Sequence, residues 1–158
     1  MSTTEPKVPR SPSTAQLFRT AYNLLSQDVF SHVSASGFTD LRPAHGNVLE
    51  RLTFTDEARL GAMAAAAGMT AQSMGELVDD LERRGYVKRS EDPADRRAKL
   101  VRLTAKGRRS TASAAEAVVA AERRLRKQLG PGDYDSVRTI VMRIIEASQP
   151  RQDPRRGP

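Results

Sequence analysis

The sequence lacks cysteine and tryptophan, and only seven of its 158 residues are aromatic. Without cysteine the chain can form no disulfide, no thiolate metal site and no thiol redox sensor. No apolar run approaches the roughly 18 residues that a membrane-spanning helix requires. The first residues, MSTTEPKVPRSPST, are polar and contain no signal-peptide core, so we expect a cytoplasmic protein.

Motifs of enzyme active sites are also missing. The sequence contains neither a G-x-S-x-G nucleophile motif nor a G-x-x-x-x-G-K-[ST] phosphate loop. His32 and His45 are its only histidines, and two histidines without cysteine or a matched acidic cluster are poor evidence for a metal site. We therefore expect no enzymatic activity, no metal and no cofactor.

Positive charge is concentrated in one part of the chain. The net charge is +7, but residues 83–109 alone carry eleven Lys and Arg against three acidic residues, an excess of +8. A concentrated cationic region binds polyanions because binding releases their counterions. A solvated surface with scattered arginines is the alternative at this point.

Composition and periodicity predict a mainly α-helical chain with one folded region, residues 13–148, between disordered tails at 1–12 and 149–158. Apolar residues recur at helical spacing, and cap or terminator residues stand at the ends of each predicted helix. The predicted helices cover about residues 13–36, 43–52, 60–67, 70–84 and 105–129, and after a break at Gly130 and Pro131 a last helical stripe runs from Tyr134 to about Ser148.

The middle of the chain has the pattern of a helix-turn-helix followed by a β-hairpin. Gly68 separates the short helices 60–67 and 70–84, and Gly85 ends the second one. Strands are predicted at 86–89 and 99–103, with the segment SEDPADRRA between them as a long loop. A hairpin directly after a helix-turn-helix is a wing, so we expect a winged helix-turn-helix at about 42–107.

The first and last helices have no obvious partner within that winged unit. Burial between two subunits would cover the helices at about 13–36 and 105–148, as in the two-fold homodimers that are common among oligomers. Packing within a single chain is the alternative. We favour dimerisation helices at both ends of the folded region.

With these elements in order, residues 15–147 resemble the MarR family of winged helix-turn-helix transcriptional regulators. The segment LRPAHGNVLERL at 41–52 is similar to the second helix of that family, and residues 60–89 are similar to its reading unit and first wing strand. The family's wing signature has its counterpart in Asp95, Arg97, Leu103, Thr104 and Gly107. His45 stands where the family often has Gln.

The predicted reading helix 70–84 suits the major groove at its N-terminal end. Thr70 caps it, and burying Met74 and its apolar partners turns short polar or small side chains outward. Gln72 suits an adenine edge, Ser73 several acceptors, and Ala71 a thymine methyl group. Glu76 suits cytosine, although a solvent-facing role is equally open.

Acidic residues limit which half of that helix enters the groove. Asp79 and Asp80 would repel phosphates, so we expect only the N-terminal half to be inserted.

The predicted wing carries two adjacent arginines at its tip, Arg96 and Arg97. The resemblance implies that Arg97 contacts the minor groove and that Asp95 fixes the local geometry by pairing with an arginine. A narrow A·T-rich groove attracts such a side chain through its enhanced negative potential. The remaining wing candidates are cations that contact phosphate or stay in solvent: Lys88, Arg89 and Lys99.

The resemblance also implies a homodimeric repressor that is released from a palindromic DNA operator by a small aromatic or phenolic ligand. Residues that would line such an effector site are Arg19, Tyr22, His32 and His45. A histidine on a helix is more often a surface or satisfied core residue than a ligand contact. A DNA-binding protein without an effector, constitutive or architectural, is the alternative that the sequence leaves open.

Overall fold

The computed structural model describes residues 11–148, apart from the side chains of residues 96–98. Residues 1–10 of the predicted tail 1–12, and the whole predicted tail 149–158, lie outside the described residues. In chain order the elements are α1 (Thr14–Ala35), a 3₁₀ helix (Pro43–His45), α2 (Gly46–Thr55), β1 (Glu57–Arg59), α3 (Leu60–Ala66), α4 (Ala71–Arg83), β2 (Val87–Asp92), β3 (Asp95–Leu103), α5 (Ala105–Leu129) and α6 (Pro131–Ser148). The predicted fold class, mainly α-helical with a small β-hairpin wing, is confirmed.

Local sequence signals account for the helix ends. Ser13 caps α1 in a capping box, in which the Ser13 hydroxyl accepts from the amide of Gln16 and the Gln16 side chain accepts from the amide of Ser13. Gly85 adopts φ +76°, a left-handed conformation that few other residues adopt, and separates α4 from β2. The predicted helix at 43–52 begins instead as a 3₁₀ turn and continues to Thr55.

The sheet has three antiparallel strands in the order β1-β3-β2, and the sequence predicted only two of them. The sequence predicted no element between the helices at 43–52 and 60–67, but Glu57–Arg59 form β1. Its pairing partner lies far along the chain: Glu57 faces Arg102, and the two side chains form an ion pair across the strands. A three-residue strand is too short to show an alternating apolar pattern, and a partner so far along the chain cannot be recognised from neighbouring residues.

The loop predicted between the wing strands was too long. Strands β2 and β3 extend to Asp92 and from Asp95, so that a two-residue turn, Pro93–Ala94, joins them. The register shifts next to this turn, because Glu91 faces Lys99 whereas Asp92 faces Asp95. Residues 96–98 are therefore extra on β3, a bulge in the ladder.

A single apolar core joins the helix-turn-helix to the sheet. Its fully buried members come from four elements and from the start of the wing: Val48, Leu52, Met63, Met74, Val78, Leu81, Tyr86, Val87 and Val101. Each buried large apolar side chain contributes about 1.5–3 kcal/mol relative to exposure. This core fixes one face of α4 and leaves the opposite face to solvent.

The wing is anchored to α5 by a close backbone approach. Thr104 caps α5: its hydroxyl accepts from the amide of Gly107 and donates to the carbonyl of Gly85, and its own amide donates to the carbonyl of Tyr86. A Cβ on Gly107 would lie 2.1 Å from the Tyr86 carbonyl oxygen. The Leu-Thr-x-x-Gly pattern therefore has a steric cause.

The chain divides into two compact units, and the boundary between them lies within α5, between Val118 and Val119. In the second unit the end of α5 and the start of α6 meet around the buried Tyr134. The Tyr134 hydroxyl donates to a Glu122 carboxylate oxygen, and the guanidinium groups of Arg126 and Arg138 lie 5.3 and 5.7 Å from the ring centroid. The contacts of Tyr134 with Glu122 and Arg126 join the end of α5 to α6, whereas Arg138 lies on α6 itself.

Over residues 11–148, no helix combines the length and the apolar character that crossing a membrane requires. The same residues contain no cluster of three or more His, Asp or Glu side chains able to hold a metal ion.

Candidate nucleic-acid interface

Helix α4 presents the polar face that its sequence predicted. Met74, Val78 and Leu81 are fully buried, which fixes the rotation of the helix about its axis. On the opposite side, the side chains of the first two turns are exposed: Ala71, Gln72, Ser73 and Glu76. These four are the residues that the sequence assigned to base contacts.

The first turn of α4 is ordered by its own side chains. The Thr70 hydroxyl accepts from the amide of Ser73 at 3.1 Å and donates to the Ser73 hydroxyl at 2.9 Å. The Gln72 amide donates to a Glu76 carboxylate oxygen at 3.3 Å. Because a primary amide has two donors and one acceptor oxygen, Gln72 keeps hydrogen-bonding capacity toward a base edge.

The C-terminal half of α4 is tied to the wing by its acidic residues. Arg89 of β2 donates to a Glu82 carboxylate oxygen at 2.5 Å and to an Asp79 oxygen at 2.6 Å. The backbone amide of Arg89 also donates to Glu82, at 2.8 Å. Asp79, which was expected to repel phosphates, is therefore paired with a cation of the wing. Arg89 holds β2 onto α4, and its predicted contact with DNA stays a prediction.

A buried carboxylate orders the wing turn, and it was missed in the sequence. Asp92 is 4% exposed; one of its oxygens accepts from the amide of Ala94 at 2.8 Å and the other from Arg59 at 2.6 Å. The Ala94 amide and the Arg59 guanidinium lower the pKa of Asp92. The Asp-Pro pair at the start of the turn was the signal, since Asp side chains often accept from the amide two residues on.

The remaining wing candidates occupy the two long strands. Lys88 and Lys99 are exposed, and the Lys99 ammonium lies 3.5 Å from a Glu91 carboxylate oxygen. Asp95 is exposed at the first position of β3. Arg96 and Arg97 belong to β3 rather than to the turn, and their side chains lie outside the described residues.

A polar cluster links α4 to the segment before α2. Asp80, one of the two acids expected to repel phosphates, is only 6% exposed and receives hydrogen bonds or ion pairs from four side chains. The distances from these side chains to the Asp80 carboxylate are 2.5 Å for Arg42, 3.0 Å for His45, 2.9 Å for Arg83 and 3.0 Å for Arg84. Bonding to Arg84, reinforced by Arg42, lowers the pKa of Asp80 to about 2.

His45 is fully buried at the end of the 3₁₀ helix. One ring nitrogen, Nδ1, lies 3.0 Å from the backbone amide of Arg42, and the other, Nε2, lies 3.0 Å from Asp80. Burial lowers the pKa of His45, which favours the neutral ring although Asp80 acts in the opposite direction. His45 is therefore a buried histidine whose two ring nitrogens both have hydrogen-bond partners within the protein. The sequence analysis left this role open as the alternative to an effector contact.

The other effector candidates lie along α1. Arg19, Tyr22 and His32 are exposed in the single chain, whereas His45 belongs to the buried cluster. Arg19 and Tyr22 are one helical turn apart and share a face.

Solved structures share this fold. A CouR transcriptional repressor bound to a 23-mer DNA duplex is 27% identical, with a TM-score of 0.70 over 84% of this chain and 92% of that one. A probable transcriptional regulator from Pseudomonas aeruginosa is 23% identical, with a TM-score of 0.67 over 84% and 96%. A mutant MarR from E. coli complexed with operator DNA is 18% identical, with a TM-score of 0.70 over 82% and 91%.

The match to a family model covers the centre of the candidate nucleic-acid interface. No curated protein matches the sequence. The MarR family model matches residues 39–98, which include α2, the reading helix α4 and most of the wing. Residues 39–98 are therefore similar to the MarR family, and the chain shares the winged helix-turn-helix fold of these solved regulators.

Proposed function

We propose that this protein is a MarR-family transcriptional regulator that binds double-stranded DNA as a homodimer and represses its target genes. The exposed first turn of α4 carries the proposal: its inner face is completely buried, while Gln72 and Ser73 stay accessible at the helix end that fits a major groove. DNA is also bound by two proteins of the same fold, the CouR repressor and the E. coli MarR mutant.

Charge supports a polyanionic partner. The excess of +8 over residues 83–109 lies on the end of α4, on the wing and at the start of α5. Part of this charge is used internally, since Arg89 and Arg84 pair with carboxylates of α4. Exposed Lys88 and Lys99 are the described wing cations available to phosphates, and Arg97 is proposed for the minor groove.

A second copy of the chain is the proposed occupant of the apolar helix faces. In α6 the side chains of Val137, Ile140, Ile144 and Ile145 are 40–54% exposed. In α1 the exposed fractions of Leu17, Phe18, Tyr22, Leu24 and Leu25 are 37–64%. Full burial of such a side chain contributes about 1.5–3 kcal/mol relative to exposure. A two-fold symmetric dimer would also match a palindromic DNA site whose half-sites lie about 34 Å apart.

Solution mass tests the dimer directly. Ile144→Glu places a charge on the apolar face of α6 and should shift the sedimentation mass from dimer to monomer at micromolar concentration. Thr139→Glu adds the same charge at an exposed polar position of the same helix and should leave the dimer intact. A wild-type monomer, or a dimer that both variants retain, would contradict the proposed interface.

Selection from a random duplex pool tests DNA recognition. The proposal expects enrichment of an imperfect palindrome whose half-sites are about 10 bp apart. Enrichment of no sequence, with binding governed by salt alone, would contradict a sequence-specific regulator.

We further propose that a small aromatic or phenolic anion releases the dimer from DNA, and that Arg19, Tyr22 and His32 contact it. The Arg19–Tyr22 pair on α1 supports this choice, because a guanidinium and an aromatic ring one turn apart suit a planar anion. A ligand at 100 times its Kd stabilises the fold by about 2.7 kcal/mol, which thermal-shift screening detects. Neither a shift nor loss of DNA binding with any such acid would favour a constitutive DNA-binding protein.

A further inference from the structure

The most buried polar contact of the winged unit joins the reading helix to the segment before α2. His45 is 0% and Asp80 6% exposed, and 35 residues separate them along the chain. The apolar core around them restrains α4 without directional contacts. A hydrogen bond between buried partners adds a fixed distance and angle.

The backbone determines which nitrogen of His45 carries the proton. The Arg42 amide is a donor, so Nδ1, 3.0 Å away, must accept from it. The proton of the neutral ring is then on Nε2, which donates to Asp80 at 3.0 Å. A protonated ring would direct a second donor at the Arg42 amide, so only the neutral ring satisfies both partners.

Asp80 is well placed to transmit this restraint to the base-reading residues. It lies seven residues after Ser73 on the same helix, about 10 Å along the axis at 1.5 Å per residue. Arg42, Arg83 and Arg84 surround the same carboxylate, but the first two side chains are 60% and 76% exposed. Arg84 is the C-cap residue of α4, so His45 supplies the buried contact from outside the helix and its cap.

We propose that the His45–Asp80 pair is a positioning element for DNA reading, which holds α4 at the angle from which Gln72 and Ser73 reach the bases. This inference rests on the proposed function. Without the pair, α4 samples other angles, and apparent operator affinity falls in proportion to the fraction of molecules that keep the reading angle.

His45 is the better residue to change, because loss of Asp80 would leave three guanidinium groups without their shared carboxylate. His45→Leu removes both polar contacts while keeping apolar volume. His45→Gln restores one acceptor and one donor on a planar group. Val48→Ala, at a fully buried position of α2, is the control for a general loss of stability.

Operator affinity of these variants is measured by fluorescence anisotropy, well below each unfolding temperature, on the selected operator and on a scrambled duplex. His45→Leu should weaken operator binding about tenfold, a size typical of coupled contacts. His45→Gln should stay within about threefold of the wild type. Val48→Ala should keep wild-type affinity although it unfolds at a lower temperature, and scrambled duplex should bind all variants alike.

The outcomes separate this inference from the function on which it rests. If wild-type protein does not distinguish operator from scrambled duplex, the proposed function fails. If it does, three results overturn the positioning role: full affinity of His45→Leu, no rescue by His45→Gln, or an equal loss in Val48→Ala.

Imidazole nitrogen spectra test the tautomer of His45 on which the proposal is argued. With only His32 and His45 in the chain, a His32→Gln variant assigns both rings. At pH 7 the expected spectrum of His45 is that of a neutral ring protonated on Nε2. A ring protonated on Nδ1, or on both nitrogens, would overturn the geometry from which the proposal is argued.

Discussion

Substitution of Gly107 by alanine tests how the wing is attached to α5. The added Cβ would lie 2.1 Å from the carbonyl oxygen of Tyr86 and 3.1 Å from its carbonyl carbon. Carbon and oxygen in contact need more than about 3 Å, so the backbone of β2 and the start of α5 must separate by about 1 Å. Both atoms belong to backbone, and no side-chain rotation relieves the clash.

The expected loss of stability in Gly107→Ala has two parts. Overpacking of this kind costs about 1–3 kcal/mol. The displaced Tyr86 carbonyl also accepts from the amide of Thr104 at 3.0 Å, a bond that contributes about 1 kcal/mol. We therefore expect Gly107→Ala to lower the free energy of unfolding by about 2–4 kcal/mol, a large share of the roughly 5–15 kcal/mol of a typical domain.

Gly61→Ala is the matched control. Gly61 lies within α3, and its added Cβ would meet no atom within 4 Å. The same change should stabilise the protein there by about 0.4–1 kcal/mol, because alanine has less freedom in the unfolded chain. Urea unfolding followed by circular dichroism, at one fixed protein concentration, measures both. Equal stability of Gly107→Ala and wild type would refute the steric argument, as would destabilisation by Gly61→Ala.

Two further predictions concern pH and salt. Burial lowers the folded-state pKa of His45 below its ordinary 6.5, so the unfolded chain binds that proton more readily, and the free energy of unfolding should fall as pH drops below 6.5. His45→Gln removes this contribution, so wild-type and variant stabilities should diverge between about pH 7.5 and 5 under urea, and parallel curves would contradict a buried neutral ring. Arg97→Ala should weaken DNA binding and flatten the dependence of log affinity on log salt, and an unchanged titration would contradict the wing assignment.

The helices were predictable because their signals are local. In α4 the cap Thr70, the apolar series from Met74 to Leu81 and the terminator Gly85 all lie within 16 residues. The same local pattern identified the exposed Gln72 and Ser73. Periodicity and capping therefore determined the reading helix and its polar face before any tertiary contact was known.

Non-local polar contacts were not predictable in this way. Asp80 stands beside Asp79 in the sequence, and both look like solvent-facing acids, yet only Asp80 is buried, because His45 and Arg42 reach it from another element. Strand β1 was not predicted for the same reason, since Glu57 pairs with a residue 45 positions later. The role of Asp92 in ordering the turn was missed because its burial and its contact with Arg59 depend on strand register.

The most direct test of the account measures base preference at the reading helix. Wild type, Gln72→Ala and Gln128→Ala, a matched change at an exposed position of α5, are titrated against the operator and against its single-base-pair variants. The account predicts that Gln72→Ala loses about 1–3 kcal/mol of discrimination at one base pair in each half-site and keeps its preference elsewhere. Gln128→Ala should match the wild type. Wild-type discrimination at every base pair by Gln72→Ala would contradict the assignment of α4 as the base-reading helix.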